Sequence, residues 1–290
     1  MIRLAVRAPL EATEQVLAAL LELAPAGVEQ VDGDGFVELA LYGAPGEVPE
    51  LEPGQAEVGG VRVHVSASAV PDDWEERWRT FHRPVLVGER VYVRPPWEPA
   101  REASWGRPTE IDVVIDPGRA FGTGAHATTR LCVELLLEVA ARDGGEPRGS
   151  LCELPRSVCD LGCGSGVLSI AAARLGFGPI TALDADPLAI EATTANAAAN
   201  GVELESIERA NLSERAPPAA DLVLANLMRP LLLRVAALMP GRPSALIASG
   251  LLEGEADEVV AAFAPLVESR RVADQGWCAV LLVEAGISLS

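Results

Sequence analysis

Lysine is absent from this chain of 290 residues: all 23 of its basic side chains are arginine. The chain therefore has no lysine amine of its own to offer to chemistry directed at lysines. Histidine is scarce, and His64, His82 and His126 are scattered without clustered carboxylate or cysteine partners, which argues against a metal site. The five cysteines, Cys132, Cys152, Cys159, Cys163 and Cys278, are odd in number and include no close C-x-x-C pair. No signal peptide precedes them, because the opening Met1-Ile-Arg-Leu-Ala-Val reads as a strand. Reduced thiols in a cytosol are expected, with Cys159 and Cys163 as small buried packing groups. No apolar run approaches the length of a membrane span. Positive charge is also in short supply: 42 acidic residues against 23 basic ones leave a net charge of −19. That balance disfavours nucleic acid or an anionic membrane as main partner and suits a basic one, although plain solubility explains it equally well.

The chain is organised around Val158-Cys-Asp-Leu-Gly-Cys-Gly-Ser-Gly-Val167. A short apolar strand carrying Asp160 turns through Gly162, Gly164 and Gly166 into an apolar helix that Gly176 closes. A strand, a glycine turn and a helix N-terminus bring bare backbone N–H groups close to a ligand. The dinucleotide fingerprint is G-x-G-x-x-G, whereas here the spacing is G-x-G-x-G and Val167 stands where its last glycine would be. That departure tilts the reading from a nicotinamide cofactor towards S-adenosylmethionine, which has no pyrophosphate to cradle.

Upstream, residues 1–70 read as a small α+β unit. Ile2, Leu4 and Val6 alternate as in a strand, and Glu11 to Leu23 carries a helical apolar stripe. Val28 to Tyr42 reads as strand, turn and strand, and Val61, Val63 and Val65 alternate again. A ferredoxin-like module is expected, with a degraded helix hidden in the loop from Gly43 to Gly60. Trp74, Trp78 and Phe81 then mark one face of a helix from Asp72 to His82, and Pro84 to Pro96 reads as a hairpin around Gly88. Together they form an expected linker over 71–96, ahead of a third segment over 97–290.

In that third segment a strand, Ile111 to Ile115, leads into Asp116-Pro-Gly-Arg-Ala-Phe-Gly-Thr-Gly-Ala-His-Ala-Thr-Thr-Arg130, a glycine-rich loop entering a helix near Ala127. Hydroxyls and open N–H groups at a helix start can hold a carboxylate, such as the amino-acid end of S-adenosylmethionine. Phe121, Gly122, Thr123 and Thr129 are the candidates there. Arg142 to Arg156 reads as a surface insertion. Beyond the central loop, strands and helices alternate as a doubly wound parallel sheet requires. Asp184 ends the second strand, 184 − 160 = 24 residues after Asp160, placed to accept ribose hydroxyls or to cap its own loop. The fourth strand delivers Asn226 to the carboxyl edge, where ligands of open α/β sheets bind. A hairpin over 267–284 closes the chain. Seven strands with a terminal hairpin is the layout of class I methyltransferases.

The sequence resembles the PrmA family, which methylates the large-subunit ribosomal protein L-eleven. The stretches that carry the resemblance are Asp73-Trp-Glu-Glu-Arg-Trp78, Asp116 to Thr129, Asp160 to Gly166, Asp184-Ala-Asp-Pro187 with Asn196 and Asn200-Gly-Val202, Ala225-Asn-Leu227 and Ser249-Gly-Leu-Leu252. The resemblance implies an N-terminal substrate-recognition domain, a linker and a catalytic domain, with cofactor contacts at Thr129, Gly162, Asp184 and Asn226. Added to the loop readings, the cofactor-binding candidates are Phe121, Gly122, Thr123, Thr129, Asp160, Gly162, Gly164, Gly166, Asp184 and Asn226. Asn226 is the catalytic candidate, as an orienting group with no firm general base. The family's usual Asn-Ile-Leu reads Asn226-Leu-Met228 here, and its His-Pro-Thr-Thr reads His126-Ala-Thr-Thr129. The expected activity is methyl transfer from S-adenosylmethionine to lysine or N-terminal amines of a basic ribosomal protein, by a cytoplasmic monomer without metal, nucleic acid or membrane. The alternatives are a methyltransferase of the same fold for another protein or a small-molecule amine, a non-catalytic binding module, and a nicotinamide dehydrogenase.

Overall fold

The computed structural model describes residues 2–23, 28–33, 35–43, 53–69, 82–101, 111–117, 124, 126–141 and 157–285. The chain divides into two compact units, Met1–Phe81 and His82–Ser290.

In the first unit, β1 (Ile2–Pro9) is followed by a 3-10 turn and α1 (Thr13–Leu23). The remaining strands are β2 (Glu29–Asp32), β3 (Phe36–Gly43), β4 (Gly54–Val58) and β5 (Val61–Ala69). They form one antiparallel sheet in the order β2-β3-β1-β5-β4. Leu4, Val6 and Ala8 recur at period two on β1, and Val16 and Leu20 at i, i+4 on α1; both sets enter one core with Leu39, Leu41, Val63 and Val65. Of the stretch between Gly43 and Gly60, in which a hidden helix is expected, residues 44–52 lie outside the described residues. Gly54–Val58 is a strand, joined to β5 by Gly59 and Gly60, both with positive φ, as a two-residue hairpin turn demands. β4 is thus an added edge strand beside β5.

The second unit opens with the hairpin β6 (Val85–Val87) and β7 (Val91–Arg94). Here β7 also pairs in parallel with β8 (Ile111–Val114), which makes a three-stranded sheet. The aromatic helix expected over 72–82, apart from His82, and the insertion over 142–156 lie outside the described residues. After α2 (Ala127–Ala141) come β9 (Val158–Leu161), α3 (Val167–Arg174), β10 (Ile180–Asp184), α4 (Pro187–Ala199) and β11 (Ser206–Arg209). The rest are β12 (Leu222–Asn226), α5 (Arg229–Leu238), β13 (Ala245–Leu252), α6 (Ala256–Ala262), β14 (Val267–Asp274) and β15 (Trp277–Val283).

The seven strands β9 to β15 run in the order β11-β10-β9-β12-β13-β15-β14. The first five are parallel, and the terminal hairpin adds antiparallel to β13. Successive residues go to opposite faces. Leu222, Leu224, Ala245 and Ile247 join α2 and α3 in one core, while Val223, Ala225, Leu246 and Ala248 join α5 and α6 in the other. A sheet covered on both faces needs near-continuous apolar strands, which is why β12 reads Leu-Val-Leu-Ala. β14 lies at the edge, mostly exposed, with a register shift between Glu268 and Arg270. Cys132, Cys159, Cys163 and Cys278 are free and buried, and Cys152 lies outside the described residues. Among the described residues, no helix is long and apolar enough to cross a membrane.

Candidate active site

The strand order reverses at β9, whose neighbours β10 and β12 continue in opposite directions. Ligands of open α/β sheets bind beyond the carboxyl ends of the strands at such a switch point. Gly162, Asp184 and Asn226 stand there because each ends or directly follows a parallel strand.

The glycine turn leaves β9 and folds back on β10. Gly162 N–H and Cys163 N–H both donate to Leu183 O, at 2.8 and 3.0 Å, and Gly166 N–H donates to Cys163 O at 2.8 Å. Gly164 N–H donates to Asp184 Oδ2 at 3.0 Å. The N–H groups of all three glycines are thus used inside the protein, which corrects the expectation that the turn presents them bare to a ligand. What glycine supplies is conformation and close approach. Gly162, Gly164 and Gly166 have φ of 71°, 54° and 82°. A Cβ on Gly166 would stand 2.9 Å from Thr193 Cγ2, and one on Gly162 would collide with Leu227 Cδ2.

Two carboxylates flank this turn. Asp184 accepts Gly164 N–H on Oδ2 and Asp186 N–H on Oδ1, each at 3.0 Å. It does cap its own loop, as one sequence reading held, yet each carboxylate oxygen has a second lone pair. A vicinal diol can take those. Asp186 in turn caps α4 through a bond from Leu188 N–H at 2.9 Å. Asp160 is only 1% exposed. Its Oδ2 accepts Ser169 Oγ at 2.6 Å and Ser169 N–H at 3.1 Å, while its Oδ1 is buried with no partner among the described residues. Burial pushes its pKa up to about 6, against the Ser169 hydrogen bonds that lower it, and the charge of Asp184 adds to the rise. A carboxylate buried with one oxygen unpaired, beside a second carboxylate, gives the turn a negative potential. That suits a cation, such as the sulfonium of S-adenosylmethionine, and not a pyrophosphate.

Asn226 and Thr129 come together from distant parts of the chain. Asn226 Nδ2 donates to Thr129 Oγ1 at 3.4 Å, and Thr129 is 1% exposed in the first turn of α2. The residue after Asn226 is held on two sides. Leu227 N–H donates to Ser249 O at 3.0 Å, Leu227 Cδ2 fills the space over Gly162, and Gly250 packs against the Leu227 backbone. Gly250 has φ of 83°, and a Cβ there would be 2.5 Å from Leu227 O. The sequence reading gave Gly250 no role; its signal is a glycine inside an apolar strand, a mark of close backbone approach.

His126 is half-buried, with Nδ1 2.8 Å from Thr128 Oγ1 and its ring edge-on to Trp277, centroids 5.2 Å apart. Burial, then Arg130, lowers its pKa. Its contact with Thr128 is local to the start of α2. Phe121, Gly122 and Thr123 lie outside the described residues, while Gly124, two residues before His126, has φ of 86° and packs on Val93. Two further residues escaped a role in the sequence reading. Asn196 and Asn200, at the end of α4, are 2% and 5% exposed. A groove of about 510 Å³ opens between β6, α2 and β14, lined by Gly88, Arg130, Glu134, Arg271 and Asp274 among others, and it contains none of the cofactor candidates.

Known proteins agree with this layout. The family model described as "Ribosomal protein L11 methyltransferase (PrmA)" matches residues 47–285. The ribosomal protein L11 methyltransferase of Pelotomaculum thermopropionicum is 38% identical over 268 residues, which are 88% of this chain and 79% of that protein. The one from Cupriavidus necator is 36% identical over 269 residues, 82% of each chain. Among solved structures, the ribosomal protein L11 methylase of Lactobacillus delbrueckii subsp. bulgaricus superposes with a TM-score of 0.57 at 22% identity, over 70% of this chain and 98% of that one, and speaks to the fold alone. With a seven-stranded sheet, a glycine turn at its switch point and a family match across most of its length, the chain belongs to the ribosomal protein L11 methyltransferase (PrmA) family.

Proposed function

We propose that the chain methylates ribosomal protein L11, on lysine side-chain amines, on the N-terminal amine, or on both, with S-adenosylmethionine as methyl donor. The observation that carries this reading is the amide of Asn226, which reaches Thr129 and precedes the backbone-held Leu227 at the carboxyl edge, across the switch point from Asp184. Asp184 takes the ribose hydroxyls, and Gly162, Gly164 and Gly166 let the cofactor approach the backbone. Asp160 contributes its charge from below the turn. Thr129, with Phe121, Gly122 and Thr123, holds the amino-acid end. Bound there, S-adenosylmethionine supplies an electrophilic methyl group on a sulfonium.

The chain's own task is to present an uncharged amine in line with that methyl group. A free lysine has a pKa of about 10.4, so neutralising it near pH 7.4 costs about 4 kcal/mol. A neighbouring positive charge and partial burial reduce that cost, and the proton leaves to water. Asn226 spends Nδ2 on Thr129, which leaves Oδ1 to accept an N–H of the amine and aim its lone pair. No base is required of His126, whose Nδ1 is engaged by Thr128. Residues 1–70 recognise the substrate, residues 71–96 link, and residues 97–290 catalyse. The net charge of −19 steers a basic ribosomal protein towards the enzyme and keeps nucleic acid away. The reading carries with it a cytoplasmic monomer that touches no membrane.

Mass spectrometry of purified L11 after incubation with the enzyme and S-adenosylmethionine tests the proposal. Mass gains in steps of one methyl on lysine or the N-terminal amine are expected. No gain, while calorimetry confirms cofactor binding, would refute L11 as substrate and point to another basic protein or a small-molecule amine.

A further inference from the structure

Asn196 and Asn200 stand at i and i+4 on an alanine-rich helix, a spacing that puts both on one face. Buried amides cost stability unless their polar atoms are paired. Each uses both of its polar atoms, and Asn200 Nδ2 also donates to Asn196 O at 2.7 Å. Asn200 closes on β8: its Oδ1 accepts Val114 N–H at 2.8 Å and its Nδ2 donates to Val114 O at 2.6 Å. Those are the two bonds a facing strand residue would make, so Asn200 completes a sheet edge.

Asn196 does something else. Its Oδ1 accepts Asp116 N–H at 2.9 Å, and its Nδ2 donates to Ser165 O at 2.9 Å. Ser165 sits in the glycine turn between Gly164 and Gly166. Asp116 opens the loop that ends at Thr129. One buried amide therefore joins the two loops, and the far end of the second is tied to the sheet by the Thr129–Asn226 contact.

We infer that Asn196 is a positioning residue for cofactor binding, setting the start of the 116–129 loop against the glycine turn. The inference rests on the cofactor placement proposed above. Fixing the Asp116 backbone against Ser165 during folding removes that cost from the binding step, so the gain appears as affinity. Asn196 touches only backbone, so it acts through the loops it joins.

The test compares the full-length wild type with Asn196→Ala and Asn200→Ala. Calorimetric titration with S-adenosylmethionine gives Kd without any methyl acceptor, and steady-state assays give KM and kcat. Asn196→Ala is expected to weaken cofactor binding about tenfold or more, the value of one or two hydrogen bonds, and to raise KM for the cofactor with kcat within about threefold. In the cofactor-free protein, the Asp116 amide should exchange with deuterium faster. Asn200→Ala is expected to lose comparable thermal stability while Kd stays within about threefold. Unchanged Kd in folded Asn196→Ala would overturn the inference. So would an equal loss of affinity in Asn200→Ala, which would make both residues merely structural. Should Asn196→Ala fail to fold, Asn196→Ser carries the same expectations. A wild type that does not bind S-adenosylmethionine at all would overturn the cofactor placement and the inference with it.

Discussion

Gly250 is the position where a single added methyl group should separate folding from catalysis. At φ of 83° an L-residue is strained by about 1–2 kcal/mol. Sterics add to this. The new Cβ would stand 2.5 Å from Leu227 O and 2.7 Å from Leu227 C, whereas ordinary contact begins at about 3.4 Å, so the backbone must give by about 0.9 Å. Such overpacking costs a further 1–3 kcal/mol or so. The displaced residue follows Asn226, whose bond to Thr129 is already long at 3.4 Å. A shift near 1 Å at an orienting group can cost about a hundredfold in rate. Gly250→Ala is therefore expected to lower kcat about a hundredfold in protein that still folds, with thermal midpoint and far-UV circular dichroism as checks on folding. Gly276→Ala is the matched control: it has φ of 80° but no atom within 4 Å of the added Cβ, so it carries the strain without the collision. Its kcat should stay near that of the wild type. The reasoning fails if folded Gly250→Ala keeps kcat within threefold, or if Gly276→Ala loses as much.

Further expectations concern the carboxylates and the thiols. Asp184→Ala should weaken S-adenosylmethionine binding by about 1–3 kcal/mol by calorimetry; unchanged affinity would remove Asp184 from the ribose site. The pKa of Asp160, pushed up to about 6 from an ordinary 3.8, means the folded state holds this proton more tightly than the unfolded one. Its charge is then a cost absent below about pH 3.8 and fully present above about pH 6, worth about 3 kcal/mol. Relative to Asp160→Asn, the wild type should lose about that much unfolding free energy between pH 4 and 7 in denaturant titrations, and a flat difference would contradict the burial argument. Cofactor affinity should also fall as pH drops through about 6 and do so less in Asp160→Asn, since protonation removes the negative charge. Burial pushes the Cys132 and Cys159 thiols up to about 12, so iodoacetamide should leave both unmodified until the protein is denatured.

The legible parts of this fold are those whose cause is local. From Val158 onward, apolar strands alternate with helices, three of which begin at a glycine, an aspartate-proline pair or an arginine-proline pair, and most strands appear within a residue or two of their expected places, while β13 runs to Leu252, three residues past its expected end at Ser249. The pairing of Asp184 with the glycine turn follows from two neighbouring strands. β4 escaped because a five-residue strand with only Ala56 and Val58 on its apolar face carries little periodicity; the usable signal was Gly59-Gly60 between two valines. Asn196 and Asn200 look like a solvated helix face until the backbone of residues 114–116 is brought against them. Gly250 is required only because a neighbouring strand delivers Leu227 to the same point. The N–H groups of Gly162, Cys163 and Gly164 looked open because their acceptors, Leu183 and Asp184, lie one strand away.

The edges of the seven-stranded sheet bear on how the protein behaves when crowded. An unpaired strand edge is a template on which a second chain can add, and long, flat, apolar edges seed aggregates. Here one edge is β11, four residues long with Glu208 and Arg209 exposed. The other is β14, where Glu268, Arg270 and Arg271 are exposed and the register shift after Glu268 bends the strand. Arg271 is further tied to Asp257 at 2.7 Å and Glu268 at 2.6 Å, which holds charge along the open side. Neither edge offers a neighbouring copy a straight apolar run to extend, so the sheet is closed to growth even though it is not closed into a barrel.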